Sequence, residues 1–422
     1  MGTGKTASLV VGIENIKRAT GQGALVIVPA FLRKNWVREF MLWAPGLYAR
    51  EVKSARDLPD LGGPLPDALV MSYEIAVKLI DRLPDYLFTH STVVFDEAHF
   101  LKSLKSKRTQ VLIGKGSLGS KAKTCWLATG TPFPNSIADS YTLFAFATRG
   151  RVGRWYDYCR DYGYVEDTLY GLKTYGCKEY ALPELKKIVS PIFHRDEIKD
   201  VIKDLPSVRD SIVPVDEKAK KVPAQIEQEI LSAIEAGQSP TGEHISALRI
   251  EMTNKKLPMA AEFIESRLSV RPLLVFGYHK VPLQSLYSAL RERSLGRQEV
   301  SGPLGRYKGG EHEVALITGD TSMGQRDALV QKFQAGEIKV LLCTIPSMKV
   351  GVTLTNATDC IYLEHPWTPE EYTQSRARVY RIGQKNPVTY HHLLFDEGID
   401  MSIFQLLQRK CRDVNTAMAG IR

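Results

Sequence analysis

The sequence lacks any C-x-x-C pair: its six cysteines, Cys125, Cys159, Cys177, Cys343, Cys360 and Cys411, are scattered. That excludes a zinc ribbon and a disulfide framework, and it fits a reducing interior. No run of about eighteen apolar residues occurs, and the N-terminus is a glycine and lysine loop rather than an apolar signal segment. A membrane span and secretion are therefore not expected, and the expected location is the cytoplasm or nucleoid, or the nucleus in a eukaryote. Acidic residues fall short of basic ones, 47 against 56, which leaves a formal charge of +9. Such a balance favours a polyanionic partner, with nucleic acid foremost. With 44% apolar and 24% charged residues the chain is globular rather than disordered, and 422 residues are too many for one ordinary core.

What is present begins at the first residue. Met1-Gly2-Thr3-Gly4-Lys5-Thr6 reads as the end of a phosphate-binding loop. Its glycines let backbone N–H groups close on phosphate oxygens, Lys5 reaches the β- and γ-phosphates, and Thr6 ligates magnesium. The full pattern needs a glycine one residue earlier, and the strand that normally delivers such a loop is absent, so a truncated N-terminus is expected. Apolar runs of strand length follow at 24–29, 68–72, 92–96 and 124–128, alternating with amphipathic helical segments. Alternating strand and helix units imply a doubly wound parallel sheet with its ligands at the carboxyl ends of the strands.

Asp96-Glu97 stands at one such end. There Asp96 holds the metal and Glu97 positions or deprotonates an attacking water. Lys102, Lys105, Lys107 and Arg108 follow, read either as a solvated helix start or as a phosphate-backbone contact. Thr129-Gly-Thr-Pro132 closes the next strand and brings small hydroxyl residues close to a γ-phosphate. The aromatic and basic stretch 149–180 has no clear period; it reads as an irregular insertion packed on its own rings, with base stacking as the alternative.

A second strand and helix series starts at 272 and runs through 314–319, 339–344, 360–364 and 387–395, giving a second doubly wound sheet without a phosphate loop of its own. Residues 296–311 read as a mobile loop. After Trp367-Thr-Pro369 the spacing predicts one helix with Gln374, Arg378 and Arg381 on one face at i, i+4 and i+7. Two guanidiniums presented together suit a charged, transferring phosphoryl group. Phosphate-loop chemistry on one sheet and paired arginines on the other describe a cleft-sited nucleotidase.

The ordered set resembles a superfamily two helicase motor of the Swi/Snf-type family of double-stranded DNA translocases. The residues that carry the resemblance are Met1 to Thr6, Val26-Ile-Val-Pro29 with Asn35-Trp36, Ser72-Tyr73-Glu74, Asp96-Glu-Ala-His99, Thr129-Gly-Thr-Pro132 with Asn135, Gly319-Asp-Thr321 with Arg326, Gly351-Val-Thr-Leu354 and Gln374 to Gln384. Within it, 255–258, 274–280 and Gly351 to Leu354 are similar to the annealing-helicase (HARP-like) branch. Lys349 stands where the family commonly has glycine. R-I-G-Q after W-x-P argues against an RNA helicase.

The resemblance implies two RecA-like domains in tandem, ATP and Mg²⁺ as ligands, double-stranded or forked DNA as the partner, and translocation or reannealing more than unwinding. The limits read as 1–206 for an ATP-binding lobe, 207–260 for a helical bridge and 261–422 for a second lobe. Glu97, Gln374, Arg378 and Arg381 are the expected catalytic residues. Gly2, Thr3, Gly4, Lys5, Thr6, Asp96 and Gly351 are expected at the nucleotide, and Thr6 and Asp96 at the metal. Ser72, Tyr73, Lys102, Thr129, Lys280, Thr344 and Trp367 are expected at nucleic acid. The family's accessory modules are not read in this sequence, so fork targeting is expected to call for a protein partner or for residues outside it, and a monomer is expected. The competing readings are a catalytically impaired DNA-binding accessory fragment and an RNA-directed helicase.

Overall fold

A computed structural model describes residues 3–58, 66–83, 91–168, 171–196, 200, 204–215, 223–235, 240, 242–268, 272–294, 313–349 and 352–421. Gly2 and Gly351, both expected at the nucleotide, and the expected loop 296–311 lie outside the described residues. Two compact units divide the chain, one comprising Gly4–Arg195 with Asp413–Arg422 and the other Asp196–Arg412 with Met1–Thr3.

In the first unit five parallel strands, β1 (Ala24–Val28), β2 (Ala49–Val52), β3 (Ala68–Ser72), β4 (Thr92–Asp96) and β5 (Thr124–Ala128), lie in the order β2-β3-β1-β4-β5. The three central strands are buried along their whole length, which is why they read as continuous apolar runs. Side chains alternate across the sheet. Leu25, Ile27, Leu69, Met71, Val93 and Phe95 enter one core, and Val26, Val28, Val70 and Val94 enter the other. A third cluster gathers the aromatic stretch: Phe133, Phe144, Tyr158 and Tyr162 pack with Leu182, Leu185, Ala417 and Met418.

The aromatic stretch has more regular structure than its sequence suggests. Trp155–Tyr162 is a helix, and β6 (Tyr164–Thr168) pairs antiparallel with β7 (Gly171–Tyr175). Its rings do pack on one another, Tyr158 with Tyr162 and Tyr164 with Tyr175, and Tyr158 also meets Tyr141 outside the stretch.

The second unit has six parallel strands: β8 (Val208–Val215), β9 (Leu273–Gly277), β10 (Glu313–Ile317), β11 (Ile338–Thr344), β12 (Asp359–Tyr362) and β13 (Val388–Phe395). Their order is β10-β11-β9-β12-β13-β8. The two units divide between Arg195 and Asp196, whereas the sequence sets the lobe limits at 206 and 260. Residues 207–260 are the expected bridge. They give this sheet its edge strand β8 and two helices, Ala224–Glu235 and Glu243–Leu268, whose Ile230, Ile234, Ile245, Leu257 and Ile264 are buried in its core. The Glu243–Leu268 helix runs through Pro258, because its apolar stripe continues beyond the proline and packing outweighs one lost ladder bond.

Candidate nucleotide site

Gly4 has φ 83° and caps the 16-residue Lys5–Thr20 helix, whose first turn holds no acidic residue. That left-handed turn is the conformation in which glycine carries no steric cost, and it leaves the helix's first N–H groups open to an anion. Lys5, the first helical residue, places Nζ 2.8 Å from Asp96 Oδ1 and 3.8 Å from Glu97 Oε1. Burial alone lowers the affinity of such an ammonium for its proton, yet the Asp96 and Glu97 carboxylates outweigh it and hold the Lys5 pKa above the ordinary lysine value. Thr3 precedes the turn half-buried, and Thr6 is half-buried in the first helical turn.

Asp96 ends β4 in the core. Its Oδ2 accepts the Trp36 indole N–H at 2.9 Å, its Oδ1 accepts the Glu97 amide at 2.9 Å, and its carbonyl accepts the Tyr73 hydroxyl at 2.8 Å. Burial first, and then the two carboxylates, push the Tyr73 phenol well above its ordinary value, so it remains a donor. Glu97 has φ 51° and ψ 50°, a left-handed backbone on a non-glycine residue. Its Oε2 is buried without a hydrogen-bond partner among the described residues and lies 3.4 Å from His99 Nδ1. His99 Nδ1 is in turn 3.0 Å from Thr129 Oγ1, which accepts the Thr131 amide at 3.1 Å. Lys5, Asp96, Glu97, His99 and Thr129 thus form one connected group.

The arginine segment of the second unit departs from its expected form. Thr368 caps the Pro369–Arg376 helix by accepting the Glu371 amide, and the helix stops at Arg376. Arg378 and Arg381 are therefore not on it. Local bonds run on as far as the Tyr380 amide, which donates to Arg376 O at 3.0 Å, while the Arg378 carbonyl accepts the Leu354 amide at 2.8 Å and Val379 is fully buried. Both arginines still converge on one segment, Arg378 Nε donating to Met348 O at 2.9 Å and Arg381 Nη1 to Val352 O at 3.4 Å. Gln374 is buried and donates to Glu370 Oε1 at 2.9 Å. Gln384 pins the end of the turn, donating to Thr355 O and Ala357 O, both at 3.0 Å.

Four residues expected at nucleic acid are held in the interior instead. Ser72 caps the Tyr73–Leu79 helix, Tyr73 is fully buried against Phe95 and Phe100, and Trp367 is buried against Tyr278 and Arg249. Thr344 is buried at the end of β11. Thr129 joins the Glu97 group, whereas Lys102, 3.4 Å from Asp139, and Lys280, paired with Asp320, keep exposed side chains.

Trp36 is fully buried in the core, and its bond to Asp96 was not foreseen from the sequence. The available signal was the indole N–H, which finds an acceptor when it is buried. Arg376 was missed as an anchor: it pairs with Asp210 of β8 and lies 3.9 Å over the Tyr390 ring.

Two family models match the chain, the SNF2-related domain over residues 1–257 and the helicase conserved C-terminal domain over residues 287–383. Among curated proteins the chain is 26% identical to the Bos taurus DNA annealing helicase and endonuclease ZRANB3, over 100% of this chain and 38% of that protein. It is 25% identical to the Xenopus tropicalis SWI/SNF-related matrix-associated actin-dependent regulator of chromatin subfamily A-like protein 1, over 93% of this chain and 40% of that one. The chain thus spans about two fifths of the length of these relatives. Among solved structures, S. cerevisiae Dbp5 bound to RNA and ADP BeF3 matches with a TM-score of 0.51 at 12% identity, covering 100% of this chain and 87% of that one, a likeness of fold. With its tandem α/β units and the SNF2 model matching residues 1–257, the chain belongs to the SNF2-related domain family.

Proposed function

We propose that this chain is a DNA-dependent ATPase, the motor part of a double-stranded DNA translocase of the annealing-helicase type. The observation that carries the reading is the Lys5 ammonium seated against Asp96 and Glu97 at the start of a glycine-capped helix. The name of one curated relative, the DNA annealing helicase and endonuclease ZRANB3, supports the annealing branch.

In this reading the Gly4 turn and the free N–H groups of its helix bind phosphate, and Lys5 exchanges its carboxylate partner for the β- and γ-phosphates. Glu97 orients the attacking water and takes its proton on Oε2, the oxygen left without a hydrogen-bond partner among the described residues. Arg378 and Arg381 supply guanidiniums for charge on the transferring group.

Among the described residues no group of three or more His, Cys, Asp or Glu is arranged to hold a metal. Magnesium needs none, since it keeps several waters and takes one or two carboxylates together with substrate phosphates. Asp96 and Thr6 offer the hard oxygen donors it requires, and Asp96 Oδ1 already faces a cation at 2.8 Å. These residues fit the ion, which when bound neutralises phosphate oxygens. Lys102 and Lys280 are the exposed cations assigned to the DNA backbone.

The test is ATP turnover by the chain with duplex DNA, forked DNA and RNA compared. Stimulation by duplex or forked DNA is expected. Stimulation by RNA alone replaces the reading with an RNA-directed helicase, and DNA binding without turnover replaces it with an accessory fragment.

A further inference from the structure

Two cations outside the nucleotide chemistry lie buried on one side of the Glu243–Leu268 helix. Arg249, Thr253 and Lys256 follow at i, i+4 and i+7, and all three are buried. Lys256 is only 1% exposed. Its ammonium donates to Leu363 O at 2.9 Å, Leu393 O at 2.8 Å and Asp400 Oδ2 at 2.6 Å, which uses all three of its protons. Leu363 leaves β12, Leu393 belongs to β13, and Asp400 stands in the first turn of the Ile399–Gly420 helix.

Seven residues earlier, Arg249 Nη2 donates to His365 O at 2.8 Å, with its guanidinium 4.1 Å over the Trp367 ring. Between the two holds, the buried Glu364 carboxylate accepts the Tyr278 and His279 amides at 2.7 and 2.8 Å. The stretch 363–367 is thus gripped at Leu363, Glu364, His365 and Trp367. Thr368 follows at once and caps the helix that leads to Arg378 and Arg381.

Stability does not account for this choice of residues. A buried ion pair is often replaced by apolar side chains without loss. Arg249 Nη1 is moreover buried without a hydrogen-bond partner among the described residues, an arrangement that costs stability. What the cations do, and an apolar side chain cannot, is fix the carbonyls of Leu363, His365 and Leu393 in place.

We propose that Lys256 and Arg249 are positioning residues that set the starting point of the arginine segment, and through it the placement of Arg378 and Arg381. The inference rests on the ATPase reading above.

The test compares the wild-type chain with Lys256→Met and Arg249→Met, each alone and combined with Arg381→Ala, in single-turnover ATP hydrolysis on duplex DNA. Each single variant is expected to lower kcat about tenfold or more, with KM for ATP and DNA affinity within about twofold, and to lose most of that effect once Arg381 is gone. Hydrogen exchange is expected to speed up over 363–381 and not in the flanking strands. An unchanged kcat, or the same fold-loss with Arg381 present and absent, overturns the proposal. If Lys256→Met does not fold, Arg249→Met carries the same test. Absence of turnover in the wild type overturns the ATPase reading instead, and the exchange measurement then decides whether the grip on 363–367 exists.

Discussion

Trp36 donates its indole N–H to Asp96 Oδ2 at 2.9 Å across sixty residues of sequence, with both side chains inside the core. The carboxylate expected at the metal is therefore aimed by a residue of the first crossover helix. Trp36→Phe keeps an aromatic ring and removes the donor. A hydrogen bond to a charged group is worth about 1.5–3 kcal/mol, so a stability loss of about 2 kcal/mol is expected by denaturant titration. The Mg²⁺ concentration for half-maximal turnover should rise as the carboxylate loses its fixed orientation. A variant with normal stability and normal Mg²⁺ dependence would reduce the contact to packing.

Glu97 carries backbone strain as well as its carboxylate. Its left-handed φ of 51° costs a non-glycine residue about 1–2 kcal/mol, which glycine avoids. Glu97→Gly should therefore be more stable than Glu97→Ala by about 1 kcal/mol, although neither hydrolyses ATP. Glu97→Gln should bind ATP and lose turnover. If Glu97→Gly and Glu97→Ala melt together, the strain is not stored there; if Glu97→Gln turns over normally, Glu97 leaves the mechanism.

The sequence made the sheets legible because their central strands are buried on both faces, so Leu25 to Val28 and Leu273 to Phe276 read as unbroken apolar runs. Lys5, Asp96 and Glu97 were legible because their chemistry needs those types in that order. The edge strand β8 was not: Val208 to Val215 holds the polar run Arg209-Asp210-Ser211 and a proline, and its Asp210 finds Arg376 166 residues away. The end of the arginine helix was equally hidden, since it depends on Leu354 taking the Arg378 carbonyl, a tertiary bond with no local signal. The burial of Tyr73 was hidden for a related reason. A tyrosine after a strand suits a surface as well as a core, and only its bond to the Asp96 carbonyl decides.

The second unit should lose stability on mild acidification. His365 Nε2 and His392 Nδ1 lie 2.8 Å apart in the interior beside Phe404, with Asp210 Oδ1 3.0 Å from His392 Nε2 and Arg376 and Tyr372 alongside. Burial, then the neighbouring His392, lowers the His365 pKa well below its ordinary value. Burial also lowers His392, against the pull of Asp210. Both imidazoles are thus harder to protonate folded than unfolded. Below about pH 6.5 the unfolded chain takes up protons that the folded one does not, so stability falls as pH falls, by at most about 1.4 kcal/mol per pH unit for each group. The denaturation midpoint should drop between about pH 7 and pH 5.5, and His365→Asn should flatten the slope. An unchanged slope would show that the pair protonates in the folded state.

Three neighbouring arginines should give three different phenotypes. Arg376 is anchored structurally: Asp210 and the Tyr372 hydroxyl accept its protons, and it lies over the Tyr390 ring. Removing one member of a buried pair costs about 3–5 kcal/mol, and Asp210 is half-exposed, so Arg376→Ala should cost less, about 2 kcal/mol, with any loss of turnover following the loss of fold. Arg378 and Arg381 instead lay their guanidiniums along Met348 and Val352. Arg381→Ala should leave melting and DNA binding near wild type and lower turnover by roughly 10³-fold or more, the scale of losing an arginine finger. Arg381→Lys should not restore it, since a point charge does not reproduce the planar fork. Arg378→Ala should combine a turnover defect with a modest stability loss, because its Nε also holds the Met348 carbonyl. Melting, DNA affinity and single-turnover rates measured on the same preparations separate the three cases, and an Arg381→Ala chain that turns over normally removes that residue from the chemistry.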